Sequence, residues 1–239
     1  MYIHYVFHVR SYAVLCLLSL AVNHAYAQSC KTAAKFVNDK DSLRQEIKNE
    51  PNKNLVNLQK LIPGLLVDMP YATPNNFTKT ILYYHPVLYM RVAPAAALQK
   101  VQAELKKQGL ELKIFDAFRP FSVTCHMWKL VKDKRYVANP REGSFHNRGL
   151  AVDLTIVDMK THKELNMGTG FDNFTDSAHH TFTQLPAEVL KNRELLKGVM
   201  HKYGFTIFPT EWWHYHWRHN SDDYEVIDLS FDDLKAILK

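Results

Sequence analysis

The chain of 239 residues is short of several things, and each shortage removes a class of function. None of its apolar runs reaches the ~20 residues that cross a bilayer, so a permanent membrane span is not expected. Its 30 basic residues are scattered among 24 acidic ones, with no lysine or arginine block. The formal charge of +6 is mild, no nucleic-acid module is recognisable, and no nucleic-acid partner is expected. Internal repeats and low-complexity tracts are absent, and cysteine is confined to Cys16, Cys30 and Cys125. At this length one well-buried domain is expected.

What is present begins with an unusual N-terminus. "MYIHYVFHVR" carries one basic residue, "SYAVLCLLSLAV" is an apolar stretch of ~12 residues, and Ala25 and Ala27 stand at small-residue cleavage positions. The pattern reads as a secretory signal peptide over residues 1–27, followed by an exported, periplasmic domain over residues 28–239. Ala27 stands where lipoprotein signals usually carry leucine, which argues against an anchor on Cys30. Removing the leader takes away Cys16 and Arg10 and leaves 29 basic against 24 acidic residues. Cys30 and Cys125 then remain in an oxidising compartment, where they either pair or leave Cys125 simply buried in a helix.

Further along, helix-like and strand-like patterns alternate irregularly. "PAAALQKVQAELKKQG" has proline at a first helical turn, Leu98, Val101 and Leu105 on one face and Gly109 as a stop. "LELKIFDAF" alternates as a strand and ends at Arg119-Pro120, after which "FSVTCHMWKLVKD" reads as a helix. "LAVDLTIV" is a strand, a helix runs from about Ala187 to Tyr203, "FTIF" and "EWWHYHW" are strand-like, and Ser230 caps a last helix. The expectation is an α+β fold, a single compact domain with a mostly antiparallel sheet flanked by helices.

Chemistry collects in two places. "SFHNRGLAVDL" separates His146 from Asp153 by seven residues, ~23 Å in an extended strand, so the two can meet only if the chain folds back between them. Asn147-Arg148-Gly149 suits such a turn, because Asn and Gly tolerate positive φ. In "EWWHYHW", Glu211 and His214 would face opposite sides of a regular strand, and a shared role requires a bend at Trp212-Trp213. Each pair alone is equally well read as ordinary loop and strand polarity. Together, His146, Asp153 and His214 supply two imidazoles and a carboxylate, the donor set of a catalytic zinc site with an open fourth position. Glu211 is then placed to be the general base, and Arg119, at a strand-to-helix junction, to stabilise a developing oxyanion.

At this point the sequence resembles a family. "SFHNRGLAVDL" fits Ser-x-His-x-x-x-Gly-x-Ala-x-Asp and "EWWH" fits Glu-x-Trp-His, the combination of the zinc D,D-peptidases of family M15. "DMPYATPNNFT", "FDAFRPFSV", "MGTGFDNF", "SAHH" and "EWWHY" look like successive blocks of the D-alanyl-D-alanine dipeptidases of the vancomycin-resistance type, over about residues 60 to 217. The resemblance implies one Zn2+ per chain on His146, Asp153 and His214, Glu211 as catalytic base and Arg119 on the scissile carbonyl. It also implies that Asp172 pairs with the ammonium of a small D,D-dipeptide, with Tyr71 and Ser144 lining the same pocket. Many such proteins lack a leader, so the leader here favours salvage of D-Ala-D-Ala in peptidoglycan turnover over antibiotic resistance. Competing readings are a peptidoglycan D,D-carboxypeptidase or endopeptidase, and a zinc-binding domain without turnover. His179 and His180 stand in a family-like block, either as supports of the site or as loop packing. The oligomeric state is not legible.

Overall fold

The computed structural model describes residues 30–218 and 221–238. The expected signal peptide lies outside the described residues. In chain order the elements are β1 (Phe36–Val37), α1 (Lys40–Asn49), β2 (Leu55–Asn57), α2 (Leu58–Leu61), β3 (Leu66–Val67), β4 (Tyr89–Arg91), α3 (Val92–Lys106) and β5 (Leu110–Asp116). They continue with α4 (Phe121–Leu130), β6 (Ala151–Asp158), β7 (Lys163–Glu164), α5 (Ala187–Lys202), β8 (Phe205–Phe208), β9 (Glu211–Trp217), β10 (Val226–Ile227) and α6 (Phe231–Ile237). Among the described residues, no helix is long and apolar enough to cross a membrane.

The main sheet runs β3-β5-β6-β9-β8, with β7 added along β6. Its pairings are antiparallel except β3 with β5, so the α+β expectation holds while the sheet is mixed. β6 is its centre and is buried on both faces along most of its length, as suits "AVDLTIV". Helix α3 buries Leu98, Val101 and Leu105, and α5 buries Leu196, Val199 and Met200; these side chains meet β5 and β6 residues such as Leu112, Ile114 and Leu154 in one core. A second apolar cluster gathers around Tyr71, Tyr83, Phe118 and Phe231. Ser230 caps α6 by accepting from the Asp233 N–H at 3.1 Å.

The two cysteines left open by sequence are joined. Cys30 and Cys125 form a disulfide that ties the start of the described chain to α4, with Cα atoms 6.0 Å apart, and Cys125 is buried as well. A few residues on, β1 pairs in parallel with β10. The segment before α1 is thereby pinned at two points.

Candidate metal and catalytic site

The site is built on one tight turn and one pair of strands. Residues His146–Arg148 make a short 3-10 turn, and Gly149 follows at φ 69°, ψ 26°, the left-handed region that glycine enters without steric cost. The glycine is required twice over, since a Cβ there would come within 2.6 Å of the Leu55 side chain. Ser144 and Asn147 lock the turn reciprocally: the Ser144 N–H donates to Asn147 Oδ1 at 2.9 Å, and the Asn147 N–H donates to Ser144 Oγ at 3.0 Å. Asn147 Nδ2 also donates to Thr124 Oγ1 and to the Arg119 carbonyl. This is the fold-back that brings His146 to Asp153. His214 arrives from the adjacent strand, as the direct cross-strand partner of Asp153.

The three side chains converge on one point. His146 Nε2 lies 3.1 Å from His214 Nδ1 and 3.3 Å from Asp153 Oδ2, and His214 Nδ1 lies 3.0 Å from Asp153 Oδ1. Ligand atoms about 2.0–2.1 Å from a tetrahedral zinc stand roughly 3.3 Å apart, so these separations fit such an ion. The tautomer fits too, because His146 Nδ1 is 2.6 Å from the Ala117 carbonyl, which can only accept, leaving Nε2 with its lone pair directed inward. All three residues are buried. Burial opposes ionisation of Asp153, but His146 and His214 outweigh it and hold its carboxyl far below the usual carboxylate range.

Glu211 reaches the same point through an irregular strand. Ile207 pairs with Tyr215, whereas Phe208 pairs with Glu211, so β9 carries extra residues between Glu211 and Tyr215 that β8 does not match. This bulge supplies the bend that a shared role for Glu211 and His214 demands. Glu211 Oε2 lies 3.9 Å from His214 Nδ1. Burial, together with Asp153 and Asp172, pushes the Glu211 carboxyl well above its ordinary value, and Arg119 only partly opposes them.

Arg119 stands beside Asp153, with Nη2 3.7 Å from Asp153 Oδ2. Sequence reading overlooked the residue that holds it there. Asp116, fully buried at the end of β5, accepts from Arg119 Nε at 3.0 Å and Nη2 at 2.7 Å, and from the Tyr83 hydroxyl at 2.9 Å. A buried carboxylate three residues before an arginine at a strand end was the available signal, in "FDAFRP". Tyr71 lies beneath the guanidinium, 5.4 Å from ring centroid to Cζ, and donates its hydroxyl to Asp172 Oδ1 at 3.0 Å. Asp172 has φ 58°, a left-handed conformation that Asp adopts more readily than most residues, and its Oδ2 is buried without a hydrogen-bond partner. Burial and Asp153 push its carboxyl up to about 8 against the Tyr71 hydrogen bond.

A cavity of about 240 Å³ opens onto these groups and is lined by Tyr71, Arg119, Ser144, Asp172, Glu211 and the three converging side chains, with Phe77, Tyr136, Phe174 and Trp213 as apolar wall. Every site residue expected from sequence is brought together here. Ser144 is a buried lining residue whose hydroxyl accepts inside the turn lock and keeps its own proton to donate. His179 supports the wall through Tyr136, whose hydroxyl is 2.8 Å from its Nε2. His180 and His216 are not among the lining residues; His216 stacks on Phe145, and burial lowers both to about 4. A larger cleft of about 620 Å³ beside α1 and β2 has no acidic or histidine side chain in its lining.

A carboxylate and two imidazoles within metal-binding distance in a small cavity, beside a buried glutamate and an arginine, suit a metal-dependent hydrolytic enzyme. The family model described as D-ala-D-ala dipeptidase, Peptidase_M15, matches residues 51–232, and the chain belongs to that family. It is similar to the D-alanyl-D-alanine dipeptidase of Escherichia coli strain K12, at 34% identity over 67% of this chain and 83% of the relative. A D-alanyl-D-alanine dipeptidase of Enterococcus faecalis matches at 31% identity over 66% of this chain and 88% of the relative. Among solved structures, the LdcB LD-carboxypeptidase aligns over 78% of each chain with 22% identity and a TM-score of 0.41.

Proposed function

We propose that the cavity hydrolyses D-Ala-D-Ala to D-alanine, with one Zn2+ per chain held by His146, Asp153 and His214. The observation that carries this reading is a charge imbalance. Apart from the solvent-exposed Glu142 in the lining, Asp116, Asp153, Asp172 and Glu211 put four carboxyl groups in or directly behind a small cavity that holds a single guanidinium, Arg119. A divalent ion would offset two of the three remaining charges, and an ammonium beside the unpartnered Asp172 Oδ2 would pair the third locally; a free dipeptide brings that ammonium together with a carboxylate of its own. Buried like charges otherwise escape by taking up protons, and the raised Asp172 and Glu211 carboxyls behave that way.

A zinc ion with three protein ligands lowers the pKa of a bound water to about 7. With such an ion bound, Glu211, beside His214, would be the residue that accepts a proton from the attacking water and returns it to the leaving amine. Arg119, fixed by Asp116, faces the negative charge that develops on the carbonyl oxygen. Asp172, aimed by Tyr71, pairs with the ammonium, and Ser144 contributes a hydroxyl to the same lining. At about 240 Å³ the cavity lies below the ~300–1,000 Å³ typical of drug-sized ligands, which favours a substrate as small as a dipeptide. A role in peptidoglycan turnover after export agrees with the leader-like N-terminus and with a disulfide, which persists in oxidising compartments.

The test uses purified mature protein, with and without a chelator, on D-Ala-D-Ala, L-Ala-L-Ala, N-acylated D-Ala-D-Ala and a pentapeptide ending in D-Ala-D-Ala. Chelator-sensitive cleavage of the free D,D-dipeptide at least ~10³-fold above the acylated and pentapeptide substrates is expected, about 4 kcal/mol at 1.4 per tenfold. Equal trimming of the pentapeptide would replace this reading with a D,D-carboxypeptidase. Zinc binding without turnover on any of the four would leave a binding domain.

A further inference from the structure

The turn that presents His146 is held from behind by a second buried ionic cluster that no part of the proposed chemistry uses. Arg91, at the end of β4, is fully buried. Its backbone N–H donates to the Gly149 carbonyl at 2.9 Å, and its Nε donates to the Arg148 carbonyl at 2.9 Å. Two consecutive carbonyls of the His146–Gly149 turn therefore depend on this one residue. The guanidinium is fixed in turn by Glu46 Oε1, 2.9 Å from Nη1, and by the Lys53 carbonyl. Glu225 Oε2 stands 4.0 Å from Nη2 and also pairs with Lys53 Nζ. Beyond the guanidinium, the Gly149 Cα hydrogen points at Leu55 and Arg91 with no room for a methyl group, so the contact is close-packed as well as hydrogen-bonded.

Glu46 lies on α1, ahead of the residues 51–232 that match the family model. Its segment is secured to the rest of the domain by the Cys30–Cys125 disulfide, the β1–β10 pairing and the buried Leu43. We propose that Glu46 and Arg91 are positioning residues for the metal-binding turn, so that helix α1, outside the family match, is a working part of the catalytic unit. The chain of contact is short: Glu46 orients the Arg91 guanidinium, whose Nε holds the Arg148 carbonyl next to the Gly149 carbonyl held by the Arg91 N–H, and the turn so fixed carries His146, whose ring the Ala117 carbonyl then aims. The inference rests on His146 being a metal ligand.

The experiment measures zinc affinity by chelator competition, with kcat and KM, on purified mature variants whose fold is verified by circular dichroism. Arg91→Lys keeps the positive charge but loses the Nε donor, and zinc should bind about 10–100-fold more weakly, the scale for outer partners of metal ligands. Glu46→Ala should weaken zinc binding about 10-fold, and kcat at subsaturating zinc should fall in proportion while KM for the dipeptide changes less than about twofold. Glu46→Gln, which keeps an oxygen for Nη1, should recover most of the affinity. If the alanine variant does not fold, Glu46→Asp replaces it and should weaken zinc binding several-fold. Removing the Lys40–Asp233 surface pair of the same helix by Lys40→Ala should leave zinc affinity unchanged. Folded Arg91→Lys and Glu46→Ala proteins that bind zinc as tightly as the unaltered protein would overturn the proposal. If instead the unaltered protein holds no stoichiometric zinc, or His146→Ala retains it, the metal-site reading itself has failed.

Discussion

Two buried ionic clusters lie on opposite sides of one turn, and they differ in a single respect. Behind the turn, the two largely buried carboxylates Glu46 and Glu225 face two cations, Arg91 and Lys53, with the solvent-exposed Glu50 on the outer side of Lys53, so each buried charge has a partner within the chain. In front of it, leaving aside the exposed Glu142, four carboxyl groups face one guanidinium around a cavity. A matched cluster is complete within the chain and can serve only as architecture, because breaking one partner strands a buried charge. An unmatched cluster is complete only with something from outside. The contrast separates the site from its support without reference to any relative.

The sharpest way to break the comparison is to remove a front carboxylate or imidazole on which the missing charge would sit. Asp153→Ala, His146→Ala and His214→Ala should each lose stoichiometric zinc and bring turnover to background, read by metal analysis and dipeptide assay; full zinc content in Asp153→Ala would sink the assignment. Next in size are groups that meet the substrate but do not hold the ion. Arg119→Ala should lower kcat by about 10²–10³, the loss from removing an oxyanion donor. Glu211→Gln should lower it by about 10² or more, the scale for a general base. In both variants zinc should stay bound, and near-normal turnover in Glu211→Gln would require a different base.

A smaller effect tests the residue that only aims Arg119. Asp116→Asn retains an acceptor but loses the charge that faces the guanidinium, and kcat should fall about 10-fold with zinc retained, as for other outer supports of a metal site. A normal kcat would mean that Arg119 holds its place without Asp116.

The smallest effect lies in the rear cluster and is read as stability against pH. Burial and Glu225 push Glu46 up to about 7, against the pull of Arg91. A carboxyl raised on folding binds its proton more tightly in the folded chain. Its contribution is therefore fully present below the unfolded value of 4.5 and is lost as pH rises through about 7. Between about pH 5 and about pH 8 the Tm of the unaltered protein should fall relative to that of Glu46→Gln, which resembles the protonated form, by several °C. Identical slopes in the two proteins would show that Glu46 does not titrate in this range.

How much of this was legible beforehand differs by residue. Helix α3, with its proline start, glycine stop and 3–4 spacing, could be read directly, because those signals act within one element. The need for a fold-back between His146 and Asp153 and for a bend after Glu211 was also readable, since both follow from strand geometry. The role of Asp116 was not, because an aspartate at a strand end looks the same whether it faces water or a guanidinium. The Cys30–Cys125 bridge spans 95 residues, and its closure depends on where α4 lies relative to the N-terminal segment.

What the sequence by itself determined is the set of chemical groups and their local conformations: two imidazoles, the carboxylates and the arginine, a glycine where φ must be positive, and the helix boundaries. These are set by covalent structure and by interactions within a few residues. Only the tertiary structure decided which charges are left unmatched. Arg91 joins Glu46, 45 residues away, and the carbonyls of Arg148 and Gly149, while Asp153 joins His214 across two strands. Whether a buried charge has a partner depends on distances between segments remote in the chain, and those distances exist only after the sheet and helices have packed.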